Sequence, residues 1–301
     1  MNFYHVYWSK PANNKRWDIG HKQIIGNLWL YSLSVAYLKR LGQTIDLYTD
    51  TEGKKLLGHL PYNNIYTVLD DIPKDTPDCC WAYGKIFSLP YVNIGDVYID
   101  GDVFIKSEKC IDKLKEHIKY DGYFGGLECP DQIPFNMDES DNRYHFHKMC
   151  KENIYWDHNA WICNYDFPND IPVYGKYACN GGVIIFNNEE YKHKFIESYE
   201  YMLSQIKNDN SFLELYKTDK RLCVDLIFEQ RFLYELGKNY KMGFLLDYNN
   251  RGEDLKLTPQ ADEIGFQHII CPIKYSFIDK YKHILKNIDK DIYEKTMQVV
   301  V

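Results

Sequence analysis

No stretch of this sequence is apolar for long enough to cross a bilayer, which takes about 20 residues. The greasiest run, Ile24 to Leu38, is broken by Gly26, Asn27, Ser32 and Ser34. The opening residues Met1 to Trp8 have no basic segment followed by an apolar run, so they read as a first strand rather than a secretory leader. The nine cysteines are odd in number, irregularly spaced and never in a C-x-x-C pair, a poor match to a disulfide framework or a zinc ribbon. These absences predict a cytoplasmic protein with reduced thiols and at most a peripheral contact with membrane. An excess of positive charge is missing too: 36 Lys and Arg face 43 Asp and Glu, a net −7 with no basic stripe, which argues against a nucleic-acid partner. There is no G-x-x-x-x-G-K-[ST] or G-x-G-x-x-G phosphate loop and no G-x-S-x-G nucleophile elbow.

What is present is the composition of an ordinary globular protein, 45% apolar and 26% charged, in a chain of 301 residues that can bury one large core. Aromatics make up 16%, with 27 Tyr. Such rings stack on sugars or fill cores, and the core is the simpler reading. Phe3 to Trp8 reads as a strand, Lys10 to Arg16 as a loop, and His21 to Leu41 as a helix closed by Gly42. Thr44 to Thr49 is a second strand ending at Asp50; a helix over Glu52–Leu60, a strand near Asn64–Leu69 and a helix over Trp81–Leu89 lead to the strand Asp96–Asp100. Alternation of this kind predicts an α/β fold with a mostly parallel sheet flanked by helices, whose ligands gather outside the carboxyl ends of the strands, where Asp50 and Asp100 stand.

Alternation stops from Glu128 to Tyr177, a segment rich in aromatics, Pro, Asn and His that reads as an irregular insertion over a site. Asn180 to Phe186 restores a strand, Glu189–Ile206 is a helix, and a helix over Val224–Leu236 and a strand over Met242–Leu246 follow. One domain is expected over 1–275, with a helical tail over 276–301 whose apolar face packs on the domain. His145-Phe-His147 has no carboxylate or thiol at matching spacing, so no zinc site is read there.

The chemistry centres on Val97-Tyr-Ile-Asp-Gly-Asp-Val-Phe-Ile105. Two carboxylates one residue apart, between apolar strands, repel each other and lose hydration; a divalent cation with its phosphate ligand would relieve both costs. Gly101 lets the backbone turn so that Asp100 and Asp102 reach one ligand.

Here the sequence resembles the GT-A fold glycosyltransferases, whose signature is Asp-x-Asp after an apolar strand. Asn180-Gly-Gly-Val-Ile-Ile-Phe-Asn-Asn188 is similar to a strand of the glycogenin-like and lipopolysaccharide galactosyltransferase-like branch that borders donor sugar and acceptor. The resemblance thus places Asn180 with the catalytic groups and Gly181 beside the donor. His268-Ile-Ile-Cys-Pro-Ile-Lys274 resembles the branch's His-x5-Lys tail, with Cys271 where the branch has Gly and Tyr275-Ser276 where it has Pro-Trp. Carried over, His268 joins Asp100 and Asp102 as metal ligands, with Asp100 serving the ribose or metal, and Lys274 holds the diphosphate. Lys85, in Trp81-Ala-Tyr-Gly-Lys85, stands where the family places a base that reaches the nucleotide. Glu229 and Gln230 resemble the acidic-Gln pair beside the reacting sugar, and Asp50 is a candidate for the base or ribose.

What the resemblance implies is Mn2+ (or Mg2+)-dependent transfer of a hexosyl group from a nucleotide sugar, a UDP-sugar, to a glycan, lipid-linked or protein acceptor with retention at the anomeric carbon, as in bacterial polysaccharide biosynthesis. Two alternatives stay open at this point. One is a sugar-nucleotide nucleotidyltransferase, although the Lys10–Arg16 segment lacks the glycines such enzymes use. The other is a catalytically inert nucleotide- or sugar-binding relative.

Overall fold

The computed structural model describes residues 1–13, 21–128, 178–210, 213–214, 217, 226–246, 259–269 and 272–300. Most of the irregular 128–177 segment, with the His145 and His147 pair, lies outside them. The chain begins β1 (Phe3–Tyr7), α1 (Ser9–Asn13), α2 (His21–Arg40), β2 (Ile45–Thr49), α3 (Thr51–Leu57) and β3 (Ile65–Tyr66). α2 ends where the sequence predicts. Gly42 takes φ +66, Gln43 N–H reaches Leu38 O at 3.0 Å and Gly42 N–H reaches Lys39 O at 2.9 Å, a Schellman closure that satisfies the last carbonyls.

The middle of the chain supplies α4 (Tyr83–Ser88), β4 (Val97–Ile99), β5 (Val103–Ile105), α5 (Glu108–Leu114) and β6 (Gly122–Glu128), followed by β7 (Ala178–Cys179), β8 (Val183–Phe186) and α6 (Glu189–Asn208). A π-helical turn, Leu226–Arg231, opens into α7 (Phe232–Gly237); then come β9 (Met242–Leu246), α8 (Pro259–Ile264), β10 (Phe266–His268), α9 (Ile278–Ile288) and α10 (Lys290–Val300).

The architecture is α/β, with a mixed, mostly parallel sheet between helices. Strands run in the order β3, β2, β1, β4, β8, β6; the first four are mutually parallel and β8 is antiparallel to both its neighbours. β9 lies parallel to β6, and β7 pairs antiparallel with the end of β6. Alternation of period 2 sorts side chains onto two buried faces. Phe3, Tyr7, Val97, Ile99, Val183 and Ile185 face α2 and the C-terminal helices. Tyr4, Val6, Tyr98, Ile184 and Phe186 face α4, α6 and α7. Tyrosine is a main core residue: Tyr4, Tyr98, Tyr123, Tyr191, Tyr199 and Tyr281 are each no more than 2% exposed.

Several elements differ from expectation. α1 occupies part of the predicted Lys10–Arg16 loop, because Ser9 is anchored at its start by the Asp50 carboxylate. The predicted strand 64–69 shortens to two residues and becomes a 3₁₀ turn at Val68–Asp71, where Asp70 turns its carboxylate to Thr51 N–H at 2.8 Å. The strand expected over 180–186 is split: residues 180–182 turn, and pairing resumes at Val183. β5 leaves the main sheet and pairs antiparallel with β10, placing His268 opposite Val103. The tail forms two helices rather than one, since the chain takes an extended conformation at Asp289 between them. Both pack on α2: Tyr281, Leu285 and Ile292 are buried, and Thr296 Oγ1 meets Ser32 Oγ at 3.0 Å. No helix among the described residues is long and apolar enough to cross a membrane.

Candidate metal centre

β4 ends at Ile99, and the chain reverses through Asp100-Gly101-Asp102 into β5, closed by Val103 N–H on Asp100 O at 3.0 Å. Asp100 N–H also donates to Gly182 O at 2.9 Å, which ties this turn to the one between β7 and β8. The glycine at 101 is not required by a left-handed φ, as an easy backbone turn would suggest. A Cβ there would lie 2.2 Å from the Tyr31 ring of α2, and Tyr31 is itself fixed by its hydroxyl on Val6 O at 2.7 Å. Close packing, rather than backbone freedom, selects Gly101.

β10 brings His268 in from the far end of the sequence. Its Nε2 stands 3.4 Å from Asp102 Oδ1 and 3.9 Å from Asp100 Oδ2. One ligand atom from each of Asp100, Asp102 and His268 can be chosen so that all three lie within 4.8 Å of one another. Asp102 Oδ1 and His268 Nδ1 are buried without a hydrogen-bond partner. For Asp102 Oδ1 the nearest donor is His268 Nε2 at 3.4 Å, and a buried carboxylate oxygen with so loose a contact fits a site that takes up an external partner. Two carboxylates and an imidazole are donors for a divalent cation of hard or borderline character, Mn2+ and Mg2+ among them, rather than for a soft, thiolate-seeking ion. Residues and group therefore fit.

Two lysines offset the carboxylates. Lys274 Nζ lies 2.5 Å from Asp102 Oδ2. Burial alone would push the Asp102 carboxyl up, but Lys274 and His268 outweigh it and hold it well below the usual carboxylate range. Burial likewise opposes the charge on Lys274 and His268, and the facing aspartates raise both above their ordinary values. Lys85, on α4, places Nζ 3.4 Å from Asp100 Oδ1, 3.0 Å from Gly181 O and 2.5 Å from Glu229 Oε1. It is 5% exposed and Glu229 is 1% exposed, a buried ion pair against the candidate ligand Asp100. Burial works to discharge Lys85, and Asp100 and Glu229 together keep its affinity for the proton above the ordinary.

The turn 180–182 organises the rest. Asn180 Oδ1 accepts from Gly182 N–H at 2.9 Å. A Cβ on Gly181 would lie 2.1 Å from Glu229 Oε1, and one on Gly182 would lie 2.4 Å from His268 Cε1. The paired glycines let an acid and an imidazole press against one piece of backbone. Lys85, Asp100, Asp102, Asn180, Gly181, Glu229, His268 and Lys274 thus form one connected cluster, although five separate parts of the sequence supply them. Gln230 follows Glu229 in the π-helical turn and is half-buried. Asp50 is engaged elsewhere: Oδ1 caps α3 through Gly53 N–H at 2.7 Å, and Oδ2 accepts from Ser9 N–H at 2.9 Å and Ser9 Oγ at 2.7 Å.

Sequence reasoning missed Tyr98 and Gly182. Tyr98 donates its hydroxyl to Asp100 Oδ1, and Lys85 Nζ lies 4.4 Å from its ring centroid. Its signal was available, because residues two apart on a strand share a face.

Residues 1–120 match the model of a family described as a family of unknown function, DUF6734. That match spans β1 to α5 and includes Asp50, Lys85, Asp100 and Asp102; it ends before Asn180, Glu229, His268 and Lys274. No curated protein matches the chain.

Proposed function

We propose that this chain is a metal-dependent glycosyltransferase of the GT-A type that uses a nucleotide sugar, a UDP-sugar by resemblance, and transfers the sugar to a glycan, lipid-linked or protein acceptor. The observation that carries the reading is the convergence of Asp100, Asp102 and His268 beyond the carboxyl end of β4. Ligands of open, largely parallel sheets gather at such strand ends.

A divalent ion held by these three residues would supply charge neutralisation for a diphosphate leaving group. Lys274, half-buried and held in its charged form, adds positive charge beside the same carboxylates. Preorganised charge of this kind stabilises charge that develops as the glycosidic bond breaks and needs little reorganisation. Lys85 draws Glu229 against the Gly181 backbone, so that the acid is held at one position next to the donor strand. In the resembled branch that acid lies beside the reacting sugar, and transfer retains the anomeric configuration.

The test is calorimetric titration of Mn2+ and UDP into the wild type and an Asp102→Ala variant, followed by measurement of UDP release from a panel of UDP-sugars. Metal-dependent UDP binding that disappears in Asp102→Ala, with release from at least one donor, is the expected result. Absence of metal-dependent UDP binding by the wild type would sink the proposal. Binding without release from any donor would favour the inert relative.

A further inference from the structure

We infer that Tyr98 is a positioning residue of the metal centre: its hydroxyl holds one oxygen of Asp100, so that the other is presented to the ligand set. This deepens the glycosyltransferase reading and rests on it. Tyr98 lies on β4, and Asp100 is two residues on, the first residue of the turn that follows the strand. The hydroxyl donates to Asp100 Oδ1, the oxygen that also faces Lys85 Nζ at 3.4 Å. Oδ2 is the oxygen on the side of His268, 3.9 Å from Nε2. The carboxylate is thus divided, one oxygen tethered to groups of the protein and one directed toward the proposed cation.

The tether is stiff because the ring cannot move. Tyr98 is 2% exposed, pairs in register with Tyr4 on one side and Ile184 on the other, and makes an edge contact with the Tyr4 ring at 5.5 Å between centroids. Lys85 Nζ covers the ring at 4.4 Å. Phenylalanine would fill this space equally well, whereas a buried hydroxyl costs free energy unless it is bonded. Its bond to a prospective ligand is the kind of outer contact that sets the orientation of metal-binding side chains, and loss of such contacts typically costs about 10–100-fold in metal affinity. Lys85 Nζ, which also serves Glu229 and Gly181 O, faces the same oxygen from 3.4 Å, so the hydroxyl is the closer of its two protein contacts.

The experiment compares the wild type, Tyr98→Phe and Tyr4→Phe as full-length chains. Tyr4→Phe deletes a hydroxyl from the adjacent buried ring and serves as the matched control. Mn2+ is titrated at saturating UDP, with bound and free Mn2+ read by electron paramagnetic resonance, and thermal melting is recorded for each protein. The expected outcome is a Mn2+ affinity for Tyr98→Phe at least about 10-fold below wild type, with Tyr4→Phe unchanged and all three proteins melting cooperatively. If Tyr98→Phe does not melt cooperatively, Tyr98→Trp, which restores a buried ring with a donor, is expected to bind more tightly than Tyr98→Leu. Equal Mn2+ affinity in wild type and Tyr98→Phe, or equal weakening in Tyr4→Phe, overturns the positioning role and leaves the metal centre standing. Failure of the wild type to bind Mn2+ removes the metal centre and the positioning role together.

Discussion

Lys85 and Glu229 illustrate how a buried charge depends on its partner. Their contact is 2.5 Å and both side chains are nearly inaccessible. Removing one leaves the other charged in a poor dielectric, which typically costs 3–5 kcal/mol, whereas apolar replacement of both is often neutral. Lys85→Met is therefore expected to lower stability by about 3–5 kcal/mol in urea denaturation. The Lys85→Met, Glu229→Leu double variant is expected to recover most of that loss without recovering the proposed metal-dependent UDP binding. If the double variant is as unstable as the sum of the singles, the pair does not act as a unit. At this scale much of the cluster could be read in advance. Asp100 and Asp102 stood out because apolar strand residues flank them, and His268 only through the resemblance of its His-x5-Lys stretch to the tail of a known branch. Asp50 was harder to read. A strand-terminal Asp suits a ligand, yet the same Asp precedes a helix and has Gly three residues on, which is equally a cap signature. Local hydrogen bonding to Gly53 and Ser9 is what it does in the structure.

Elements with a long period or a strong alternation were legible, and those built on glycine were not. α2 and α6 each run for 20 residues with caps that local chemistry supplies, Gly42 after the first and Asn188 before the second. β6 escaped notice although it sits inside the sheet, because Gly122, Gly125 and Gly126 give it little intrinsic strand preference. Its glycines answer tertiary demands: a Cβ at Gly122 would lie 2.6 Å from the Tyr191 ring. The apolar stripe marked the C-terminal tail as helical, but neither its division at Asp289 nor its place on α2 could be read from it. Leu285 is fully buried there. Leu285→Ala is expected to cost about 2–5 kcal/mol, read as a shift in the urea midpoint with unchanged slope. A cost below about 0.5 kcal/mol, the range of surface substitutions, would mean that α9 does not dock as described.

For the whole molecule, one buried histidine predicts a response to acid. His5 lies in the middle of β1, with Nδ1 2.9 Å from Tyr62 Oη and Nε2 3.1 Å from Ser34 Oγ. Ser34 Oγ donates to Val103 O at 2.7 Å, so it accepts from Nε2, and the ring is neutral with the proton on that nitrogen. Burial lowers its pKa from 6.5 to about 3, partly countered by the charge of Asp102. The unfolded chain therefore binds the proton first: stability is complete above the ordinary histidine range and is lost as pH falls from about 6.5 toward about 3. The loss approaches about 1.4 kcal/mol per pH unit within that window. Denaturation midpoints of wild type and His5→Gln between pH 7 and 4 are expected to converge as the solution is acidified. Parallel curves would show that His5 is not the group that titrates.

The pairing of β5 with β10 carries a consequence for assembly of the site. Asp102 and His268 are brought together although most of the chain lies between them, and their junction is the two-stranded sheet outside the main one. A cation shared by them would act as a removable cross-link between segments separated by more than half of the chain. Such a cation binds the folded site and not the unfolded chain, so its binding free energy adds to the stability of the fold. The centre would therefore serve as a fastener for the C-terminal third, and site formation and completion of the fold become one event.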